Sequence, residues 1–306
     1  MAKLDSLLKI SLDELRMQML GTQVVFGFQF QAVFQDRLEI SHGAIRAAAL
    51  LGMSCLVLTM GLLIAAPAVH RIADRGAASE RTRLLTSRFA RAALLMLACG
   101  LAATVFMTIA TEFGARAGLV AAVLMAALGM VAWQGWGIVV RSGSRHPAEQ
   151  RTMQQSHGSL HDRIDFVLTE ARVMLPGAQA LFGFQLLVPL MKAFEILPSS
   201  ARIVHFVALS LIALTIVLLI SPAAIHRIAF AGGDDERFLR LSSRIVTAAL
   251  VPLAFGVASE LYVATARLLP GSSASGWIAA GAICTLLGLW YALPLALRRS
   301  EARCST

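Results

Sequence analysis

The sequence predicts an all-α polytopic membrane protein built from two copies of a four-helix unit. The first observation is the composition: 57% of the 306 residues are hydrophobic, 15% are charged, and the mean hydropathy is +0.71. Soluble domains contain about 45–50% apolar and about 25% charged residues. The second observation is a series of long apolar runs, and the third is an internal repeat.

Apolar runs long enough to cross a membrane occur eight times. A helix needs about 20 apolar residues to span about 30 Å of hydrocarbon. Six runs are strongly apolar, while the first, which contains five glutamines, and the fifth are less hydrophobic. The predicted spans are residues 17–35, 47–69, 92–111, 119–140, 173–191, 203–225, 245–266 and 277–297.

The basic residues predict the orientation of these spans. Of the 27 Lys and Arg residues, 21 lie in the loops and tails on one side and 6 lie in the opposite loops. Because cytoplasmic loops are enriched in Lys and Arg, both termini are predicted to be cytoplasmic. The net charge of +9 is therefore assigned to loops, and no nucleic-acid partner is expected. The N-terminus lacks a small-residue cleavage site and is not read as a signal peptide.

The chain is predicted to be a tandem duplication. An offset of 156 residues aligns residues 14–102 with 170–258 without a gap and with 35 identities in 89 positions. The identities include polar segments such as HRIA, at 70–73 and 226–229. Four spans per copy give both copies one orientation, so a pseudo-two-fold axis along the membrane normal is expected. The predicted units are residues 1–140, a polar cytoplasmic linker at 141–160, and residues 161–306.

Each copy is predicted to begin with an amphipathic helix lying at the membrane interface. Leucines recur with helical spacing from Leu4 to Leu15, and apolar residues recur in the same way from Leu160 to Leu175. Bends into the first span of each copy are expected at Gly21 and Pro176.

A motif shared by both copies resembles a known family. The motif E-[LA]-R-x(4)-G-x-Q-x(2)-F-x-F is followed by a Pro near the end of the second span, His-Arg, a later Ser-Arg, and LWYALPL before Arg298. This pattern resembles a bacterial family of four-span inner-membrane proteins of unknown function, whose members are sometimes labelled sodium:proton antiporters. The resemblance covers nearly the whole chain, twice, and is weaker in the fourth span of the first copy. It implies a tandem fusion of a unit that usually occurs singly.

One acid lies well inside a predicted span. Glu260 is about two-thirds of the way along the seventh span, and its counterpart at offset 156 is Thr104. Ionisable residues inside a membrane are costly and are therefore candidate functional residues. Two interpretations are open: Glu260 is protonated or hydrogen-bonded to a neighbouring helix, or it binds a proton or cation.

Glutamines and phenylalanines in the first span of each copy are candidate pathway residues. They are Gln23, Gln29 and Phe26 with their partners Gln179, Gln185 and Phe182. One interpretation is hydrogen bonding between helices. The other places Gln23 and Gln179 at the axis between the copies, where Phe26, Phe182 and Phe30 form a constriction beside a path for a cation or small solute.

Charged residues form a duplicated layer at the predicted cytoplasmic boundary. Arginine pairs well with carboxylates and phospholipid headgroups, so bracing of helix ends and binding of anionic lipid are expected. A gate or pH sensor at His70 and His226, or a haem or metal held by these histidines, are the alternatives. The layer comprises Glu14, Arg16, His70, Arg71, Glu80, Arg81, Arg88, Glu170, Arg172, His226, Arg227, Glu236, Arg237 and Arg244.

Two functions follow as hypotheses. The first is a small transporter or channel for protons, monovalent cations or a small solute, with its path between the copies. The second is a non-transporting scaffold that binds lipid or a partner; self-association is compatible with either. No nucleotide-binding or hydrolase motif is present, so neither an enzyme nor a cofactor is expected. No metal site is expected either, and the histidines without a duplicated partner, including His205, are assigned no role.

Overall fold

The structure is a computed structural model that describes residues 2–35, 43–74, 80–131, 160–230 and 235–304. All regular elements in these ranges are helices, as predicted. The first half contains α1 (Ala2–Val33), α2 (Gly43–Ile72), α3 (Glu80–Phe113) and α4 (Ala115–Met130). The second half contains α5 (Leu160–Leu187), α6 (Ser199–Ala229), α7 (Glu236–Leu268), α8 (Ala274–Leu287) and α9 (Leu293–Cys304). A 3₁₀ turn (Val188–Leu190) and one helical turn (Lys192–Glu195) join α5 to α6, and a π-helical segment (Gly288–Ala292) joins α8 to α9.

Six stretches of helix in the described residues are long and apolar enough to cross a membrane. They are Gly43–Ile72, Glu80–Phe113, Asp162–Leu190, Ser199–Ala229, Glu236–Leu268 and Ala274–Ser300. They coincide with six of the eight predicted spans. The predicted first span lies in α1, which is not among the six, because its glutamines lower its hydropathy. The predicted fourth span begins in the shorter apolar helix Ala115–Met130, and its remainder lies outside the described residues.

The predicted interfacial helices are not separate elements. α1 and α5 each run without a break through the amphipathic stretch and onward, and Pro176 lies inside α5. The apolar stripe of the stretch is buried in the protein, at Leu12, Leu15 and Met19 in α1 and at Ile164 in α5. Because this stripe packs on protein rather than on a lipid surface, the helix has no reason to turn into the membrane plane.

Helices of the two repeats pack internally in the same order. In the first repeat α1 contacts α2 and α3, α2 contacts α3, and α3 contacts α4. In the second repeat α5 contacts α6 and α7, α6 contacts α7, and α7 contacts α8. Equivalent sequences have therefore produced equivalent helix bundles.

The contact between the repeats is not symmetric in the described residues. The first repeat uses mainly α1 and α2, whereas the second uses α5, α7, α8 and the segment through α9. In the apolar windows of α2 and α7, 61% of residues are buried, against 28% in their equivalents α6 and α3. Trp290 extends this contact, since its Nε1–H donates to the carbonyl oxygen of Gly61 over 2.9 Å. A two-fold axis would bury equivalent helices equally, so this packing differs from the predicted pseudo-two-fold arrangement.

Candidate functional site

Three polar side chains meet inside the second repeat. Gln185 on α5, His205 on α6 and Glu260 on α7 are all buried, with at most 2% of any of them exposed. The amide Nε2 of Gln185 donates to Oε1 of Glu260 over 2.7 Å. The ring Nδ1 of His205 lies 3.1 Å from Oε1 and 3.2 Å from Oε2 of the same carboxyl group. These side chains form a buried polar network among apolar helices.

The hydrogen-bond partners determine how many protons this network holds. His205 Nε2 lies 3.1 Å from the carbonyl oxygen of Gln185, which can only accept, so Nε2 carries a proton and donates it. The opposite ring nitrogen faces the Glu260 carboxyl group. One proton satisfies this contact, whether it sits on the imidazole or on the carboxyl group. Without that proton, two acceptors would face each other at 3.1 and 3.2 Å.

The first repeat has a neutral version of the same network. Gln29 is equivalent to Gln185, while Ala49 and Thr104 stand at the positions of His205 and Glu260. Gln29 Nε2 donates to the carbonyl oxygen of Ala49 over 3.1 Å, and Thr104 Oγ1 donates to Gln29 Oε1 over 3.0 Å. The retained glutamines therefore join helices within each bundle, which is the first of the two predicted interpretations for this pair. The titratable pair exists in the second repeat alone.

Aromatic rings surround the histidine. Phe194 and Phe206 meet the His205 ring edge-on, with centroid distances of 5.2 and 5.7 Å. Phe30, from the first repeat, is stacked on it at 6.1 Å. Phe194 belongs to the helical turn Lys192–Glu195 that precedes α6, so the connection between α5 and α6 covers the pair. The rings exclude water and lower the local dielectric constant, which strengthens the interaction between His205 and Glu260.

A small cavity lies between the repeats beside this pair. Its volume is about 10 Å³, and its wall includes Phe26 and Phe30 from α1, with Phe184, Gln185 and Glu260 from the second repeat. A single water molecule needs about this much space. Glu260 thus lies beside the contact between the repeats, where the sequence predicted a pathway, and the wall that this cavity exposes is apolar.

The predicted glutamine pair does not share an axis between the repeats. Gln23 is buried with 0% exposure, whereas Gln179 is exposed. A Cβ at Gly177 would lie 1.5 Å from Gln23 Oε1, so this glycine leaves the space that the Gln23 amide occupies. Phe26 is buried, and its partner Phe182 is half-buried. The interpretation that places both Gln23 and Gln179 at an axis between the copies does not match this arrangement, because the repeats meet through non-equivalent surfaces.

Part of the charged layer forms a buried cluster between the repeats. Arg71 and Glu170 form an ion pair, and their side chains are 3% and 1% exposed. The Arg16 guanidinium lies over the Phe166 ring, 4.7 Å from its centroid. The His70 ring also packs against Phe166, at 4.6 Å. Arg16, His70 and Arg71 of the first repeat therefore contact the first turns of α5.

The equivalents of this cluster and the rest of the predicted layer are more exposed. Glu80 pairs with Arg83 within α3, and Arg81 donates to the carbonyl oxygen of Leu297 over 3.4 Å. Arg81 and His226 are half-buried. The exposed members are Glu14, Glu80, Arg88, Arg172, Arg227, Glu236, Arg237 and Arg244.

His205 is the site residue that the sequence analysis missed. It was set aside because it has no duplicated partner. The missing partner could have identified it. At the positions of His205 and Glu260 the second copy has a titratable residue, whereas the first copy has the neutral residues Ala49 and Thr104. The contact itself joins residues 55 positions apart in the chain, so no local motif marks it.

Comparison with known proteins provides a family but no activity. A model of a protein family described as a family of unknown function matches the chain twice, over residues 2–136 and 156–294. No curated protein and no solved structure matches the chain. Among the residues that the structure describes, no three His, Cys, Asp or Glu side chains are grouped so as to hold a metal ion.

Proposed function

The chain belongs to the family of unknown function DUF6328, and since this membership carries no activity, we propose a function from the buried site. We propose that the protein is a membrane transporter that binds one proton between His205 and Glu260. Binding and release of this proton are coupled to movement of a monovalent cation or small solute between the repeats. The observation that carries the proposal is the buried contact of Glu260 with His205 and Gln185.

The free-energy cost of burying His205 and Glu260 argues for a role beyond packing. A neutral network at the equivalent positions joins the helices of the first repeat through Gln29 and Thr104. Placing a carboxyl group and an imidazole in that position adds desolvation cost without adding a needed structural link. Buried titratable groups inside a membrane span are candidate functional residues.

The location of the site supports coupling. Glu260 borders the cavity between α1 of the first repeat and the helices of the second. Movement of the repeats against each other would therefore change the access of water or a cation to this carboxyl group. Loss of the proton would leave a carboxylate that a monovalent cation can neutralise in its place.

The proposed topology has eight spans in a bacterial inner membrane, with both termini in the cytoplasm. Gln29, near the end of α1, contacts Ala49 and Thr104 inside two apolar helices, which supports α1 as an additional span. Along α1, Arg16 meets Phe166 and the later Gln23 meets Gly177, so α1 and α5 run in the same direction. The excess of Lys and Arg in one set of loops supports cytoplasmic termini.

Proteoliposomes with a pH-sensitive dye inside test the proposal. We expect a monovalent cation gradient, with the membrane potential clamped, to drive proton movement through the native protein. Glu260→Gln should abolish the proton movement, because an amide cannot release a proton. His205→Asn should weaken it strongly, because the proton loses one of its two acceptors.

Matched controls separate this outcome from misfolding. Glu195→Gln makes the same change at an exposed carboxyl group outside α7 and should leave flux unchanged. Thr104→Ser changes the equivalent position of the first repeat, keeps the hydroxyl donor to Gln29, and should also leave flux unchanged. Proton movement that persists in folded Glu260→Gln protein would contradict the proposal.

A scaffold without transport is the second candidate. The tight contact between the repeats favours it, because the Gln23 amide is fully buried against Gly177. In that case the basic cytoplasmic loops bind anionic lipid headgroups. Folded protein that shows no proton, cation or solute flux under any gradient, but binds vesicles containing anionic lipid, would favour this function.

A further inference from the structure

Identical residues of the two repeats are buried in one copy and exposed in the other. In the first repeat Arg16, Gln23 and Arg71 are buried where they contact the second repeat, and Ile64 is buried as well. Their identical equivalents in the second repeat, Arg172, Gln179, Ile220 and Arg227, are exposed. We call the four exposed residues, with Val217 and Ile228, the free face of the second repeat. Val217 and Ile228 on α6 are 60% and 85% exposed.

The partner surface shows the opposite asymmetry. In the second repeat Glu170 and Gly177 are buried, because they receive Arg71 and Gln23. Their equivalents in the first repeat, Glu14 and Gly21, are exposed. We call Glu14 and Gly21 the free face of the first repeat.

We propose that the free face of the second repeat docks on the free face of the first repeat in a second copy of this chain. The contact within the chain supplies the template: Arg71 pairs with Glu170 and Gln23 lies on Gly177. Applied between chains, the same contact pairs Arg227 with Glu14 of the other copy and places Gln179 on its Gly21. The sequence already contains both halves of this second contact.

The chemistry of the free faces supports this occupant. The Gln179 amide lies within the apolar stretch Asp162–Leu190, where lipid offers it no hydrogen-bond partner. Glu14 and Arg227 carry opposite charges at positions whose equivalents form an ion pair. Gly21 has no atom within 4 Å of its Cβ position, so a side chain from another molecule fits there.

The symmetry of the contact sets the form of the assembly. Within the chain the contact is heterologous, since one surface of the first repeat meets a different surface of the second. Heterologous contacts close into rings when the rotation permits. Two chains in one orientation then form a ring of four repeats, with two contacts inside the chains and two between them. This inference depends on the parallel orientation of the repeats and not on the proton site.

Disulfide cross-linking in membranes tests the contact directly. A Cβ at Gly177 would lie 3.2 Å from the Cβ of Gln23, close to the Cβ separation of a disulfide. In full-length chains with the native cysteines replaced, Gly21→Cys in one tagged copy and Gln179→Cys in a differently tagged copy should join on oxidation. The product has twice the mass of the chain and carries both tags.

Two control pairs of cysteines show whether the joined product reports this contact. Gln23→Cys with Gly177→Cys in one chain should form an internal disulfide without a change in mass. Leu51→Cys with Val207→Cys is the second control and should not join chains. Leu51 is exposed although it lies on α2, which contacts the second repeat. Its equivalent Val207 is therefore expected to face lipid as well. Oxidation of the internal pair without any joined Gly21–Gln179 product would overturn the proposal.

Charge reversal provides an independent test of the same contact. Glu14→Arg or Arg227→Glu alone should eliminate the joined product, because each places like charges together. The two reversals combined in one chain should restore it. Equal yields from the single and combined variants would overturn the predicted pairing.

Discussion

The ion pair between Arg71 and Glu170 offers a direct test of what holds the repeats together. The two side chains are 3% and 1% exposed, so water screens their interaction little. Glu170→Gln keeps the shape of the side chain but leaves the Arg71 guanidinium without its carboxylate partner. Removing one member of a buried pair costs about 3–5 kcal/mol, since the remaining charge stays desolvated.

The free energy of unfolding can be measured by titration from dodecyl maltoside into dodecyl sulfate micelles. Glu80→Gln is the matched control, because Glu80 pairs with Arg83 at the surface, where the side chains are 47% and 42% exposed. An exposed pair contributes about 0–1 kcal/mol. The expected loss is therefore several times larger for Glu170→Gln than for Glu80→Gln.

A double variant separates the charge from the packing. In Arg71→Met/Glu170→Met both charges are absent, so most of the loss should be recovered, as apolar replacements of buried pairs are often neutral. Equal destabilisation by Glu170→Gln and Glu80→Gln would refute the reasoning. Failure of the double variant to recover stability would show that packing, rather than the unpaired charge, carries the effect.

Two further predictions use the same titration. Gly27→Val should lower the free energy of unfolding by about 1–3 kcal/mol, because a Cβ at Gly27 would lie 2.1 Å from the Phe184 ring. Gly281→Val is its control, because no atom lies within 4 Å of a Cβ at Gly281. A similar loss in both variants would point to helix propensity instead. Thr104→Val should lower the free energy of unfolding by about 1–3 kcal/mol, since Gln29 Oε1 loses the hydroxyl that donates to it over 3.0 Å. Thr104→Ser keeps this hydroxyl, so an equal loss of stability in Thr104→Ser would argue against the hydrogen bond.

The sequence predicted the candidate site in part. Glu260 was found because an acid inside an apolar run is conspicuous in any linear scan. Gln185 was found because it repeats Gln29. His205 was not, because its relation to Glu260 exists only where α6 and α7 lie side by side. Comparing the two copies for positions where one is titratable and the other neutral would have singled out both residues.

The duplicated residues show that the sequence pattern does not predict which copy of a residue is buried. Gln23 and Gln179 have similar neighbours in sequence, yet one is buried and the other exposed. Glu170 and Glu14 differ in the same way. Identical local sequences produce the same helix and the same face, but they do not specify which face meets the other repeat.

By itself, the sequence determined the helical class, the duplication and the positions of six apolar helices. These follow from local properties, since residue type and spacing decide whether a stretch forms an apolar helix. The tertiary structure alone decided that α2 and α7 are central, that Arg71 meets Glu170, and that His205 completes the buried site. The physical reason is that apolar helices gain little hydrophobic energy by choosing one apolar neighbour over another. Shape fit and a few polar contacts between distant residues therefore select the packing.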